Sequence, residues 1–175
     1  MAGLGGAQSL SESPQAETAS GELLVARSKQ RAGEYVAARD ILLEALSTTL
    51  RSASLLNQLG SVQQDLGEYL EAERFYLQAL NACTQTGSDL ERLVILNNLG
   101  TLYLDTSNYS KSEQIRELLE KLRPGTLNNH PAEAGALLNA IASLEHARGR
   151  NDEAERYYSR SLLLFRQAHA GTSVD

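Results

Sequence analysis

Three asparagines, Asn57, Asn97 and Asn139, lie 40 and 42 residues apart in the segments LNQLGSVQ, LNNLGTLY and LNAIASLE. Each segment reads as helix, and Asn is a poor helix-interior residue because its amide competes with the backbone for hydrogen bonds. The cost is a few tenths of a kcal/mol or so per residue, so a recurring Asn needs a reason. A carboxamide carries a donor and an acceptor, so it can pair with the N–H and C=O of one peptide unit of an extended ligand, whatever that ligand's side chains are. A row of them is suited to reading a peptide backbone. Each contact contributes about 0.5 to 1.5 kcal/mol net, so three alone give weak binding and side-chain pockets must supply the rest.

Other chemistry is scarce. His130, His146 and His169 fall in a loop, a helix and the last turn of the chain, without the spacing of a zinc site, and read as solvated surface residues. The single cysteine, Cys83, excludes an internal disulfide and any cysteine cluster, which fits a reducing compartment, so the expected location is cytoplasmic. Glu153 and Glu155 read as exposed helix charges, with Asp152 spaced to pair with Arg156 at i+4. No Gly-x-Ser-x-Gly elbow or phosphate loop occurs, and Asn108-Tyr109-Ser110 is a glycosylation sequon without a secretory leader to give it meaning. The expectation is a protein that is not an enzyme and has neither cofactor nor metal.

Composition bounds the rest. The formal charge of −6, with both signs interspersed, lacks the basic patch that a nucleic acid or an anionic membrane surface would require. No apolar run approaches the roughly 18 residues of a membrane span, so no membrane insertion is expected. The opening MAGLGGAQSLSESPQAETAS has no basic region followed by an apolar one, and Ala2 does not fit N-myristoylation. Abundant Leu, Ala, Glu, Arg and Gln, with only three prolines, predict an all-α protein of ordinary single-domain size.

Positioning the asparagines falls to a set of helices that repeat. Residues 1–19 are small and polar and read as a disordered arm. Beyond them, turn signals at 32–34, 66–68, 86–89, 106–108, 123–131 and 149–151 cut the chain into eight helices. GEYVAARDILLEAL (33–46) and GEYLEAERFYLQAL (67–80) lie 34 residues apart, and EAERFY (71–76) returns as EAERYY (153–158). Two alternating motifs define a helical hairpin. Ala72, Phe75, Tyr76, Ala79, Leu80 and Cys83 form one apolar stripe. Gly60, Gly100 and the alanines at 38, 72 and 154 are small where the two helices of a hairpin must approach closely.

These motifs resemble the tetratricopeptide repeat family. The matching positions are Leu56, Leu59-Gly60, Gln63, Ala72, Tyr76 and Ala79, then Leu96, Leu99-Gly100, Tyr103, Ser112, Arg116 and Leu119, and then Leu138, Ile141-Ala142, Glu145, Ala154 and Tyr158. A more divergent first repeat keeps Val25-Ala26, Ala38, Leu42 and Ala45. The resemblance implies an all-α, right-handed α-solenoid of about four hairpins over residues 20–170, with repeats near 20–50, 53–86, 90–124 and 132–169 and a tail at 171–175. The spacings of 40 and 42 resemble the longer repeats of kinesin light chains, with extra residues held in QTGSDLERL and RPGTLNNHP. Arg116 and Ser112 replace an aromatic and a small apolar residue, which predicts looser packing of the third hairpin's second helix.

In such a stack the first helices line a concave groove, and the resemblance implies that Asn57, Asn97 and Asn139 grip a bound peptide there. The same register adds Ser61 and Asp65, Thr101 and Asp105, Ser143 and His146, with Arg27 and Arg31 at the N-terminal end. The partner is then a protein or peptide, and the chain a scaffold or adaptor. The alternative is that the asparagines bond the neighbouring repeat or a local carbonyl, a role that suits Asn98 better than Asn97. The carboxylate clamp of chaperone-binding relatives is not expected, because Leu23 and Gln58 replace two of its polar members. In YYSRSLLLFRQAH, one stripe accounts for Tyr158, Leu162 and Phe165 but not for Leu163 and Leu164. These two leucines either fold against the preceding hairpin or form an assembly surface, for a homodimer or another partner.

Overall fold

The computed structural model describes residues 14–49, 52–86 and 88–171 and, within them, the side chains of 20–49, 52–83 and 88–170. The elements are α1 (Pro14–Arg31), α2 (Tyr35–Thr48), α3 (Ala53–Asp65), α4 (Tyr69–Thr86), α5 (Asp89–Asp105), a 3-10 turn (Tyr109–Lys111), α6 (Ser112–Glu120), α7 (Thr126–Asn129), α8 (Pro131–Ala147) and α9 (Asn151–Gly171). The pairs α1–α2, α3–α4, α5–α6 and α8–α9 are hairpins, and they stack in chain order into an α-solenoid. Two expectations need correction. Residues 14–19, assigned to the arm, belong to α1, which Pro14 can open because the first helical position needs no N–H donor. Residues 1–13 and the tail 172–175 lie outside the described residues. Beyond the eight helices expected, α7 is a single turn inside the loop 123–131, fixed by the Thr126 hydroxyl donating to Asp89 Oδ2 at 2.7 Å.

One device closes all four hairpins. After the first helix of each, the chain passes through a left-handed residue: Gly33, Gly67, Ser107 and Gly149, with φ of 77°, 79°, 54° and 77°. In each case the next N–H reaches five residues back, as Glu34 to Lys29, Glu68 to Gln63, Asn108 to Tyr103 and Arg150 to Glu145. The left-handed residue itself bonds three back. This is the Schellman arrangement, which satisfies the last carbonyls of a helix while reversing the chain.

The core runs the length of the stack, and the stripe from Ala72 to Cys83 is buried throughout. Close approach is limited by hard contacts. A Cβ on Gly60 would stand 2.7 Å from the Tyr76 ring, within its own hairpin. The nearest side chain to Gly100 is instead Ala140, 3.0 Å from a built Cβ, so this glycine serves mainly the contact with the next hairpin. Gly135, which the repeat pattern did not single out, faces the Phe165 ring, and its carbonyl accepts a 2.7 Å bond from Ser161. The lengthening of the later repeats lies partly in their first helices: α5 and α8 have 17 residues each against 13 in α3.

The third hairpin differs from expectation in kind. Ser112 is fully buried and accepts from Arg148, while Arg116 reaches Glu113 at 3.3 Å and Glu145 at 3.4 Å. The second helix is held by charge where its neighbours use an aromatic ring.

Candidate functional site: the groove lined by the first helices

Helices α1, α3, α5 and α8 lie side by side and present the residues expected in the groove. At the N-terminal end the polar side chains bond to one another. Arg27 Nε donates to Gln58 Oε1 at 2.9 Å, Gln58 donates to Gln30, and Gln30 donates to Ser61 Oγ at 2.9 Å and to Asp65. Arg27, Ser61 and Asp65 therefore form a seam between the first two hairpins. Between the second and third hairpins, Gln64 Nε2 donates to Asp105 Oδ2 at 2.6 Å and accepts from the Tyr76 hydroxyl at 3.1 Å. Burial raises the Tyr76 phenol above its ordinary pKa, so it remains a donor.

The asparagines divide into two kinds. Asn98 Nδ2 donates to Asn57 Oδ1 at 2.9 Å, a carboxamide pair that joins α5 to α3. Asn57 is thus engaged across the repeat boundary, by the residue beside Asn97. The side chains of Asn97 and Asn139 have no hydrogen-bond partner among the described residues, with Asn97 half-buried and Asn139 exposed. One turn on, the hydroxyls of Thr101 and Ser143 bond back to the carbonyls of Asn97 and Asn139 at 3.1 and 3.0 Å. Ser143 also meets the Tyr158 hydroxyl at 3.1 Å, and His146 Nδ1 meets Asn151 Oδ1 at 3.0 Å. These two groove candidates thus also make contacts within their own hairpin. Arg31 is exposed with no ion-pair partner among the described residues.

A pocket of about 200 Å³ opens between α1, α3 and α5, with Arg27, Ser54, Asn57, Leu90 and Val94 in its wall. Helix periodicity alone hides it, because its walls come from three helices far apart in sequence. Leu90 and Val94 lie two turns and one turn before Asn97 on α5, and that spacing was its sequence signal.

The assembly candidates also divide. Leu164 is 6% exposed and packs into the core, so it is corrected from a surface residue to a core one, whereas Leu163 is 63% exposed. Leu162, expected on the inward stripe, is 51% exposed. The inward face of α9 runs instead through Ala154, Tyr157, Ser161 and Leu164. The expected pair of Asp152 with Arg156 does not form.

No cluster of three or more His, Cys, Asp or Glu that could hold a metal occurs among the described residues. Among them, too, no helix is long and apolar enough to cross a membrane. Burial and the nearby Glu91 carboxylate push the Cys83 thiol up to about 12, so it is protonated at neutral pH.

Stacked helical hairpins define the class of helical-repeat solenoids. Residues 51–122 match the sequence profile of the tetratricopeptide repeat family. Its fold is similar to BtubC (BKLC) from P. vanneervenii, at 20% identity and a TM-score of 0.70, covering 97% of this chain and 70% of that one. It is also similar to pilF of Pseudomonas aeruginosa, at 21% identity and a TM-score of 0.72, covering 88% of this chain and 64% of that protein. A Podosopora anserina structure described as a kinesin light chain with nearly identical TPR-like repeats matches at 18% identity and a TM-score of 0.50, covering 93% and 100%. No curated protein sequence matches the chain.

Proposed function

We propose that this protein is a non-catalytic interaction module, an adaptor or regulatory subunit, that holds an extended segment of a partner protein in the groove lined by α1, α3, α5 and α8. One observation supports this most: Asn97 and Asn139 keep unpartnered carboxamides on the same lining, while the polar residues around Arg27, Ser61 and Asp65 are bonded among themselves. A carboxamide with both functions free can take up one peptide unit without breaking an internal bond. The pocket beside Asn57, with Leu90 and Val94 on one wall and Arg27 on another, suits one partner side chain. The reading places the protein in a reducing compartment, the cytoplasm, in keeping with its single buried thiol.

The test is quantitative affinity capture from the native lysate with wild type and with the folded triple variant Asn57→Ala, Asn97→Ala, Asn139→Ala. Loss of a specific partner from the variant supports the groove. Retention of every partner removes it.

A second reading makes the chain an assembly scaffold acting through α9, and rests on the exposure of Leu162 and Leu163 on the outer face of that helix. Light scattering of the wild type against the variant Leu162→Glu with Leu163→Glu separates the two. A dimer that becomes a monomer favours assembly, and a monomer in both cases dismisses it.

A further inference from the structure

The interspersed charges of the sequence conceal a local excess. The second helices of the third and fourth hairpins, α6 and α9, leave between them a cleft of about 460 Å³ lined by Arg116, Arg150, Glu153, Arg156, Tyr157 and Arg160. Two of these arginines are already used: Arg116 pairs with Glu113 and Glu145, and Arg150 with the same two carboxylates at 3.8 and 3.6 Å. Arg148 joins that cluster at 3.4 Å from Glu145. Arg156 and Arg160 are exposed, one turn apart on α9, and have no partner among the described residues. The lining and its ion-pair partners thus bring five guanidinium groups against Glu113, Glu145 and Glu153, which leaves two positive charges. The chain as a whole carries a formal charge of −6.

We propose that this cleft binds a phosphate monoester carried on a partner peptide. A guanidinium presents planar paired donors that match phosphate oxygens, and two free ones facing one opening match a dianion. The Glu145 cluster behind them holds the cleft wall in place: its carboxylate is fully buried and keeps Arg116 and Arg150 from turning away. A nucleic acid would present many phosphates to a chain of net negative charge, with Glu113 and Glu153 beside this cleft. The site is formed by second helices and is separate from the groove.

The probe is a degenerate nonapeptide library with a fixed central phosphoserine, phosphothreonine or phosphotyrosine, titrated into the full chain and followed by amide and arginine side-chain NMR. Parallel titrations use the unphosphorylated library, the same library with glutamate at the centre, inorganic phosphate, and a DNA oligonucleotide. The expected result is saturable shifts at Arg156 and Arg160 with the phosphorylated library alone, and at least a tenfold loss of affinity in Arg156→Gln with Arg160→Gln. That variant should melt as wild type does, since neither side chain has an internal partner. A second variant, Arg156→Lys with Arg160→Lys, retains charge without the paired donors and should bind more weakly than wild type but above the glutamine variant. Equal binding of the glutamate library, of free phosphate or of the oligonucleotide overturns the proposal, as does phosphopeptide binding that survives the glutamine variant or no binding at all.

Discussion

Arg116 of α6 and Glu145 of α8 meet at 3.4 Å across the seam between the third and fourth hairpins, each in a place where the repeat pattern has an aromatic residue. Tyr76 occupies the position of Arg116 one repeat earlier, and Tyr103 that of Glu145. Tyr103 shows what the position does: its hydroxyl donates to Glu73 Oε1 at 2.7 Å, tying a first helix to the preceding second helix. Here an ion pair makes that tie, and Arg148 and Arg150 complete it.

Removing the buried charge should therefore unbalance the cluster. Glu145→Gln is expected to destabilise the fold by about 1–3 kcal/mol, because three arginines lose their common acceptor. Adding Arg116→Ala in that background should cost less than Arg116→Ala alone, with a coupling of at least roughly 0.5 kcal/mol in a double-mutant cycle. Additive effects in urea melts would show that the pair is not a unit.

Arg116 was visible in the sequence as a departure of the third repeat, but not that Glu145 of the fourth repeat answers it. The repeat period aligns residues with their counterparts one hairpin away and says nothing of partners across a seam. The same reason explains Asn98, which reaches Asn57 while the regular row runs through Asn97. By contrast, the hairpins, their turns and the stripe from Ala72 to Cys83 were legible, because period and residue size act within a single hairpin. The inward stripe of α9 differs from the expected one at two positions: Tyr158 and Leu162 are partly or well exposed because α8 is the only helix packed broadly against α9 among the described residues.

Ser107 is the one non-glycine residue at positive φ among the described residues, at a turn where the other three hairpins use glycine. A left-handed conformation costs an ordinary L-residue about 1–2 kcal/mol. Ser107→Gly gives up a 3.2 Å bond from the Tyr109 hydroxyl and raises the entropy of the unfolded chain. The net expectation is a stabilisation of about 0.5 kcal/mol, read as a higher midpoint in denaturant. A lower midpoint would mean that the serine is suited to its turn.

Gly60 and Gly100 should respond unequally to a single added methyl. Gly60→Ala places a Cβ 2.7 Å from two carbons of the buried Tyr76 ring, so ring or helix must shift, at a cost of about 1–3 kcal/mol. Gly100→Ala meets Ala140 at 3.0 Å and should cost less, because the overlap is smaller than at the 2.7 Å contacts of Gly60. Thermal melts of the two variants would contradict this if Gly100→Ala were the worse.

Acid should loosen the junction between α5 and α7. Burial acts against the Asp89 charge, but the hydroxyl of Thr126 and the guanidinium of Arg123 outweigh it and hold the carboxyl below its ordinary pKa. A group whose folded pKa is depressed contributes stability above its unfolded value, near about 4, and loses it as pH falls through the folded value. Asp89→Asn should therefore lower stability at pH 7 and flatten the acid limb of the stability curve below about pH 4. An unchanged acid limb would show that other carboxylates carry it.

The most direct test of groove recognition is photocrosslinking from two positions. A benzophenone side chain is placed at Asn97 in one variant and at Leu163 in another, and each is irradiated in native lysate. Groove binding predicts a discrete protein adduct from position 97 that excess partner peptide competes away, and none from position 163. An adduct from position 163 alone would contradict it and move the interaction to the last helix.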